Sequence, residues 1–520
     1  TGTCVGGTYS SWTTASTHIA DNFSSLNDDT VKLCVQGRDV AGNAQGEASA
    51  TVATWTKDTT PPTAPASFTA TQGHRKLTLS WADGGGGTSG YVIARRTGAA
   101  VDWTPSGGDT YSVNDTVGSS TVVYVGTSTT YSDTGLTNGT TYYYSIFAYD
   151  SLKNYSSAST QSKAPQAPIS ETDLVLWLDA SEISTLYQNS DCSTSPVTAD
   201  SQTVGCWKGL AGSNINVSQA TSGSRPTYLT SGLGASKAGL SFASKWLTGT
   251  LTGLTGNQNH TMIVVFKYSS LSSTNNVVLK IGTDGTSTKT SLESTSANFK
   301  DSFSSSAVLY RTLTNNSAYF ATKTYNGSAG PHNRVSYLNG KVGPMAGTSG
   351  TISTLSLPSN PTVEVGGAAS ADYFSGVISE VIVYSRAVGY AELTSINTYL
   401  AAKWGFTDPG SCHGKSVGGY CWYQSMKNYS CNDVCAGISA YDSGTCSYGA
   451  ANAANCQGIF DAIGAPGSGA PVSTTSYSGG GCLFYDAGKK DKDNSRKYNL
   501  TCNATYKHAD IFRLCACTLP

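Results

Sequence analysis

The sequence predicts a mainly all-β chain: successive β-sandwiches joined by proline-rich segments and closed by a small, disulfide-rich α+β domain. Three observations carry that expectation. Short runs of alternating apolar and polar or small residues recur along the chain, as half-buried antiparallel strands require. Gly, Asn and Ser turns separate these runs, and no helical period interrupts residues 174–386. The 14 cysteines fall in even numbers in each segment and crowd after residue 410, which is what pairing into disulfides demands.

Residues 1–59 hold an alternating strand at 29–35, a turn through Arg38, Asp39, Val40, Ala41, Gly42 and Asn43, and a last strand at 48–55. The turn resembles the "D-x-AGN" ending of bacterial Ig-like repeats. Such folds use about seven strands and about 100 residues, so the resemblance implies a partial domain. Its missing strands belong upstream in the parent protein, or a neighbouring chain supplies them by strand addition.

Residues 60–168 begin in the Thr-Thr-Pro-Pro-Thr-Ala-Pro run that ends at Pro65, and finish at Ala164-Pro165-Gln166-Ala167-Pro168. Successive prolines make both segments stiff and extended. Between them, Leu77-Thr78-Leu79-Ser80-Trp81, Tyr91-Val92-Ile93-Ala94 and Leu136-Thr137-Asn138-Gly139-Thr140-Thr141-Tyr142 resemble a fibronectin type III domain. That likeness implies a tyrosine corner, with the Tyr142 hydroxyl bonded back to the chain near Leu136. Tyr144, Ile146 and Ala148 continue the buried face at period two.

Residues 169–408 form the largest unit. It opens with Leu174-Val175-Leu176-Trp177-Leu178-Asp179 and closes with a strand at 376–384. Further strands are expected at 261–268, 276–281, 319–325, 334–338 and 362–365, with a two-residue hairpin at Asn339-Gly340. The period then changes: Leu393, Ile396, Leu400 and Trp404 share a helical face. Gly389 is the expected N-cap, Glu392 the capping-box acid, and Gly405 and Pro409 the stop. The segments "LVLWLDAS", "SYLNGK", "VEVGG" and "FSGVISEVIVYSRAVGYAELTSINTYLAAKWG" resemble the laminin-G-like, concanavalin A-like jelly rolls of bacterial surface proteins. Cys192 and Cys206 enclose a Ser/Thr/Asp loop that their pairing would staple, either as plain loop anchoring or as part of a binding rim.

Residues 409–520 carry Cys412, Cys421, Cys431, Cys435, Cys446, Cys456, Cys482, Cys502, Cys515 and Cys517, with a short helix expected at 451–463. Their pattern resembles Cys-rich modules that close bacterial and algal surface proteins. With Cys4 and Cys34 in the first segment and Cys192 and Cys206 in the third, every cysteine is expected in a disulfide, which implies an oxidising compartment.

Composition narrows the function. Net charge is −1 and 12% of residues are charged, so no basic face for nucleic acid is advertised. No apolar run reaches the length of a membrane span. No leader peptide is visible at Thr1, so a mature or truncated secreted chain is expected. The six histidines are scattered without metal-ligand spacing. Glycosidase chemistry needs two nearby carboxylates, and Glu380 stands alone on its strand. Gly414-Lys415-Ser416-Val417-Gly418 matches a nucleophile elbow in letters, but no strand-to-helix context surrounds it. No enzyme and no required cofactor are therefore expected. Asp491 and Asp493 offer oxygens to Ca2+, although flanking lysines favour a plain solvated loop. Trp422, Tyr423 and Tyr477 offer rings for stacking on sugars, against the plainer reading of a small domain's core.

The expectation is an extracellular or cell-surface adhesin in which a lectin-like domain stands on a sandwich stalk and binds a glycan or a cell-surface protein. Two alternatives stay open. One is a structural subunit of a surface filament or sheath, self-associating through the incomplete Ig-like segment. The other is the non-catalytic part of a secreted polysaccharide-degrading protein.

Overall fold

The computed structural model describes residues 28–410 apart from 214, 270–275, 286, 296–297, 304–305, 328–333, 343–345, 350–354 and 368–372. Beyond 410 it describes 412, 415–417, 420–424, 459, 472–473, 480–485, 496–502 and 511–516. The chain is mainly β, and it divides into two compact units, Thr1–Pro168 and Ile169–Pro520.

In the first unit, Asp29–Val35 and Thr51–Lys57 pair as an antiparallel hairpin. The Asp39 carboxylate accepts from the Ala41 and Asn43 amides and from the Asn43 side chain, which closes the expected turn. The next sandwich packs a three-stranded sheet (Ala66–Gly73, Lys76–Ala82, Thr130–Thr134) on a five-stranded one. The latter runs Ser159–Lys163, Tyr142–Tyr149, Gly90–Thr97, Ser120–Gly126, Thr116–Val117. Leu77, Leu79, Trp81, Tyr91, Ile93, Tyr144 and Ile146 meet between the sheets because each strand turns alternate side chains inward. The Thr137 amide donates to the Tyr142 hydroxyl at 3.0 Å, forming the corner expected there. The proline-rich segments lie on this sandwich: Asn154 Nδ2 donates to the Asp58 carbonyl at 2.9 Å, and Gln72 Nε2 to the Ala164 carbonyl at 2.8 Å.

The second unit is built on two large sheets. One runs Thr227–Gly234, Lys237–Ala243, Ser375–Tyr384, His260–Tyr268, Ala318–Tyr325, Arg334–Leu338, Lys341–Val342, with Leu174–Asp179 also paired to Ser375–Tyr384. The other begins Leu186–Tyr187, Cys206–Trp207, Val217–Ser218, Leu247–Thr250, Thr362–Val365 and continues through Asn276–Gly282, Lys289–Thr295 and Asn298–Phe303. Leu176, Leu178, Trp207, Val264, Phe266, Leu279, Ile281, Phe299, Val363 and Val381 belong to the core that the two sheets share. Asn339 and Gly340 both take positive φ, 50° and 68°, as a two-residue hairpin turn that follows the strand's twist requires.

Part of the interior is polar. Asp301, on the same strand face as Phe299, meets Lys323 at 2.6 Å and Arg334 at 3.4 Å, and the Ser336 hydroxyl donates to it at 2.6 Å. Beside them His260 is fully buried, its Nδ1 on the Gln258 carbonyl and its Nε2 on the Thr290 hydroxyl.

The helix spans Tyr390–Trp404 and buries Leu393, Ile396, Leu400 and Trp404. Gly405, in the left-handed region at φ 79°, ends it. Gly389 is the N-cap, but Glu392 departs from the expected capping box: both its oxygens take hydrogen bonds from Arg386, at 2.7 and 2.6 Å. A bidentate guanidinium is a stronger partner than one backbone amide, and it draws the acid away.

Candidate functional site

The cysteines and the candidate residues of the last segment divide as follows. Tyr477, Asp491 and Asp493 lie outside the described residues, as do Cys4, Cys431, Cys435, Cys446, Cys456 and Cys517 and most of the expected helix at 451–463. Tyr423, Cys482 and Cys502 lie in strands. Trp422 is 3% exposed, a core position that presents no ring to a sugar. Ser416 lies in the strand Lys415–Val417, opposite Cys421, in a hairpin closed by the Cys412–Cys421 disulfide, where the elbow motif would need a strand-to-helix turn. Cys34 and Cys515 are disulfide-bonded as well, and no cysteine among the described residues is free.

The more informative surface is the rim of the large sandwich at the Cys192–Cys206 disulfide. Cys206 is fully buried and opposes Tyr187 and Ser218 in the sheet, so the bond ties the loop before it to the core. Arg225 then clamps the neighbouring loops: Nε donates to the Gln219 carbonyl (2.9 Å), Nη1 to Gln188 (2.8 Å) and Nη2 to Ala220 (3.0 Å). The Gln219 amide in turn donates to the Gly205 carbonyl at 2.8 Å, and its side chain reaches the Trp246 carbonyl at 3.4 Å. Trp246 donates its own amide to Ser224. A continuous set of hydrogen bonds thus runs from the disulfide loop to Trp246.

Trp246 has an aromatic neighbour. Its ring lies 5.5 Å from that of Tyr373 with 34° between the planes, and both side chains are half-buried. The "VEVGG" segment explains how they meet. Leu247 opposes Val365 in antiparallel register, so Gly366 and Gly367 run alongside Trp246. At Gly366, φ is +81° and a Cβ would lie 2.0 Å from the Phe242 ring; at Gly367 it would lie 3.1 Å from the Tyr373 ring. Close approach requires glycine at Gly366, while at Gly367 the φ of +151° disfavours any side chain. Neither aromatic stood out in the sequence, since nothing local marks two rings so distant in the chain as neighbours.

A second group corrects the sequence reading. Glu380 is not alone: Asp179 stands directly opposite it in antiparallel register. Glu380 Oε1 accepts from Trp177 Nε1 and the Tyr399 hydroxyl, each at 2.8 Å, and Oε2 accepts from Trp404 Nε1 and from Lys403 Nζ at 3.1 Å. Lys403 also reaches Asp179, whose other oxygen takes the Ser181 amide and hydroxyl. Burial raises the Glu380 pKa against the pull of Lys403. The ammonium of Lys403, opposed by its own burial, is raised by the two carboxylates. Every carboxylate oxygen here is occupied, and three of the donors come from the helix. The arrangement fastens the helix to the sheet. Among the described residues no three His, Cys, Asp or Glu side chains cluster as metal ligands would. No helix among them is long and apolar enough to cross a membrane.

No protein-family model and no curated protein matches the chain. Solved structures show partial similarity. Trypanosoma rangeli sialidase in complex with 2,3-difluoro-KDN aligns at 12% identity and TM-score 0.31 over 49% of this chain and 43% of that one. Domain 4 of AbnA, a GH43 extracellular arabinanase from Geobacillus stearothermophilus, in complex with arabinotriose, aligns at 12% identity and TM-score 0.28 over 44% of this chain and all of that one. FN3tt aligns at 20% identity and TM-score 0.16 over 21% of this chain and 97% of that one. The chain thus spans less than half the length of the sialidase it resembles.

Proposed function

We propose that this chain is an extracellular recognition protein of a bacterial surface, and that it binds a glycan at the Trp246–Tyr373 rim of its large, laminin-G-like sandwich. The Ig-like and fibronectin type III segments serve as its stalk. The observation that carries the reading is the ring pair itself: two half-buried aromatics at 5.5 Å, held by glycine contacts on one side and the Arg225–Gln219 clamp on the other. A pyranose has an apolar C–H face that such rings accept, and a preordered platform loses little entropy on binding. Disulfides at Cys192–Cys206 and Cys412–Cys421 support an oxidising location. In this reading the protein binds its glycan without chemistry, because Asp179 and Glu380 are engaged in holding the helix.

The test is a glycan array probed with the full chain and with Trp246→Ala. Binding lost in the variant is the expected result. Absence of binding at millimolar glycan, or binding that survives the substitution, overturns the reading.

A second reading, a filament or sheath subunit, draws on the N-terminal hairpin, where Val35, Val52 and Trp55 are exposed at 43%, 47% and 37%. It requires concentration-dependent assembly in sedimentation, and a monomer at all concentrations would exclude it.

A further inference from the structure

Resting on the glycan reading of the rim, we infer that the site takes a neutral sugar and discriminates against glycans that carry a carboxylate or sulfate on the stacked residue. The argument comes from how the rim's charges are already engaged.

The described strands and loops that build the rim, from Leu186 through Arg225, Lys245–Trp246, Gly366–Gly367 and Tyr373, contain three cationic side chains. Lys245, next to Trp246, donates to the Gly223 carbonyl at 2.6 Å. All three guanidinium nitrogens of Arg225 are bonded to main-chain carbonyls. Lys208 lies over the Tyr187 ring at 4.5 Å, with its ammonium 3.4 Å from the same tyrosine's hydroxyl. Recognition of an acidic sugar relies on an Arg fork or a Lys point charge that is free to turn toward it. Turning Arg225 outward would break the clamp that joins Gln188 to Gln219 and would loosen the platform itself.

The acids among the described rim residues are engaged in the same way. Asp191 accepts from the Ser193 and Thr194 amides at 3.0 Å each, and Asp200 accepts from the Thr230 amide and hydroxyl at 2.7 and 2.9 Å. Among the described rim residues this leaves two rings, amides such as Gln219, and Ser and Thr hydroxyls. That set suits ring stacking plus hydrogen bonds to neutral hydroxyls.

The experiment uses the full chain in calorimetric titrations with two probe sets. The neutral set is cellotriose, maltotriose, galactotriose and tri-N-acetylchitotriose; the acidic set is 3′-sialyllactose and trigalacturonate. The expected result is binding of a neutral probe at least about tenfold tighter than of either acidic one. That binding should change less than about twofold between 50 and 500 mM NaCl, because exposed charge pairing alone is screened over that range. Trp246→Ala and Tyr373→Ala, each checked for native near-UV circular dichroism, should abolish it. An acidic probe that binds tighter than every neutral one, with loss in Trp246→Ala, overturns the neutral-sugar inference and keeps the site. No binding in either set, or binding indifferent to both aromatic substitutions, overturns the site and the inference together.

Discussion

Glu380 and Asp179 face each other across paired strands and meet on a single ammonium, that of Lys403. The pair gathers donors from the sheet and from the helix that lies on it. Two acids side by side would repel; with Lys403 between them, two indoles and a tyrosine hydroxyl, they become the fastening of that helix.

Glu380→Ala should therefore destabilise the large sandwich by about 3–5 kcal/mol, since it leaves the buried indole N–H groups of Trp177 and Trp404 without their acceptor and the Lys403 ammonium with one carboxylate in place of two. Urea unfolding followed by tryptophan fluorescence measures it. Lys403→Met combined with Glu380→Met should cost less than the sum of the two single changes, because each single variant strands the other's charge. A loss below about 1 kcal/mol in Glu380→Ala would refute the fastening.

His260 gives a signed pH dependence. Burial first, then the neighbouring Lys323 ammonium, pushes its pKa from 6.5 down to about 3. Between those values the unfolded chain binds a proton that the folded chain refuses, so stability held above pH 6.5 is lost as pH falls toward 3. Asp301, held below its usual range by Arg334 and Lys323 against its own burial, adds a loss at lower pH. The comparison of wild type with His260→Gln isolates the histidine. Urea midpoints at pH 7, 5.5 and 4.5 should fall more steeply in the wild type, and parallel curves would contradict the assignment.

Gly366→Ala should cost more than about 2 kcal/mol. The added methyl meets the Phe242 ring, and the backbone there is left-handed. Thermal unfolding reads the loss, and ligand binding should weaken with it because Trp246 runs alongside. A variant as stable as the wild type would show that the segment relaxes freely.

Replacing Cys192 and Cys206 by serine should cost about 3 kcal/mol in denaturant unfolding, the loop-closure entropy for a loop of this length. Reductant should lower the wild-type midpoint further than the variant's, because only the wild type has this bond to lose while the other disulfides are common to both. Equal midpoints for the two proteins under oxidising conditions would show that the sheet alone holds the loop.

Much of the scaffold was readable from local pattern. Alternation marked strands such as Leu174–Asp179 and Ser375–Tyr384, the Leu393–Trp404 spacing marked the helix, and Asn339-Gly340 marked its hairpin. These signals depend on residues close in sequence. The Asp179–Glu380 pairing was not readable, because register between strands so distant in the chain is set by the whole sheet. The Trp246–Tyr373 contact was hidden for the same reason, although the glycines that seat it were visible as "VEVGG". Trp422 could be read as platform or core, with core the plainer reading for a small Cys-rich module, and its 3% exposure fits the core.

The Cys192–Cys206 bond has one more consequence. A peptidase that cuts between these two cysteines would open the ring without parting the chain, since sulfur still joins the fragments and Cys206 remains seated in its sheet. Wherever digestive enzymes abound, such a nick leaves the molecule in one piece.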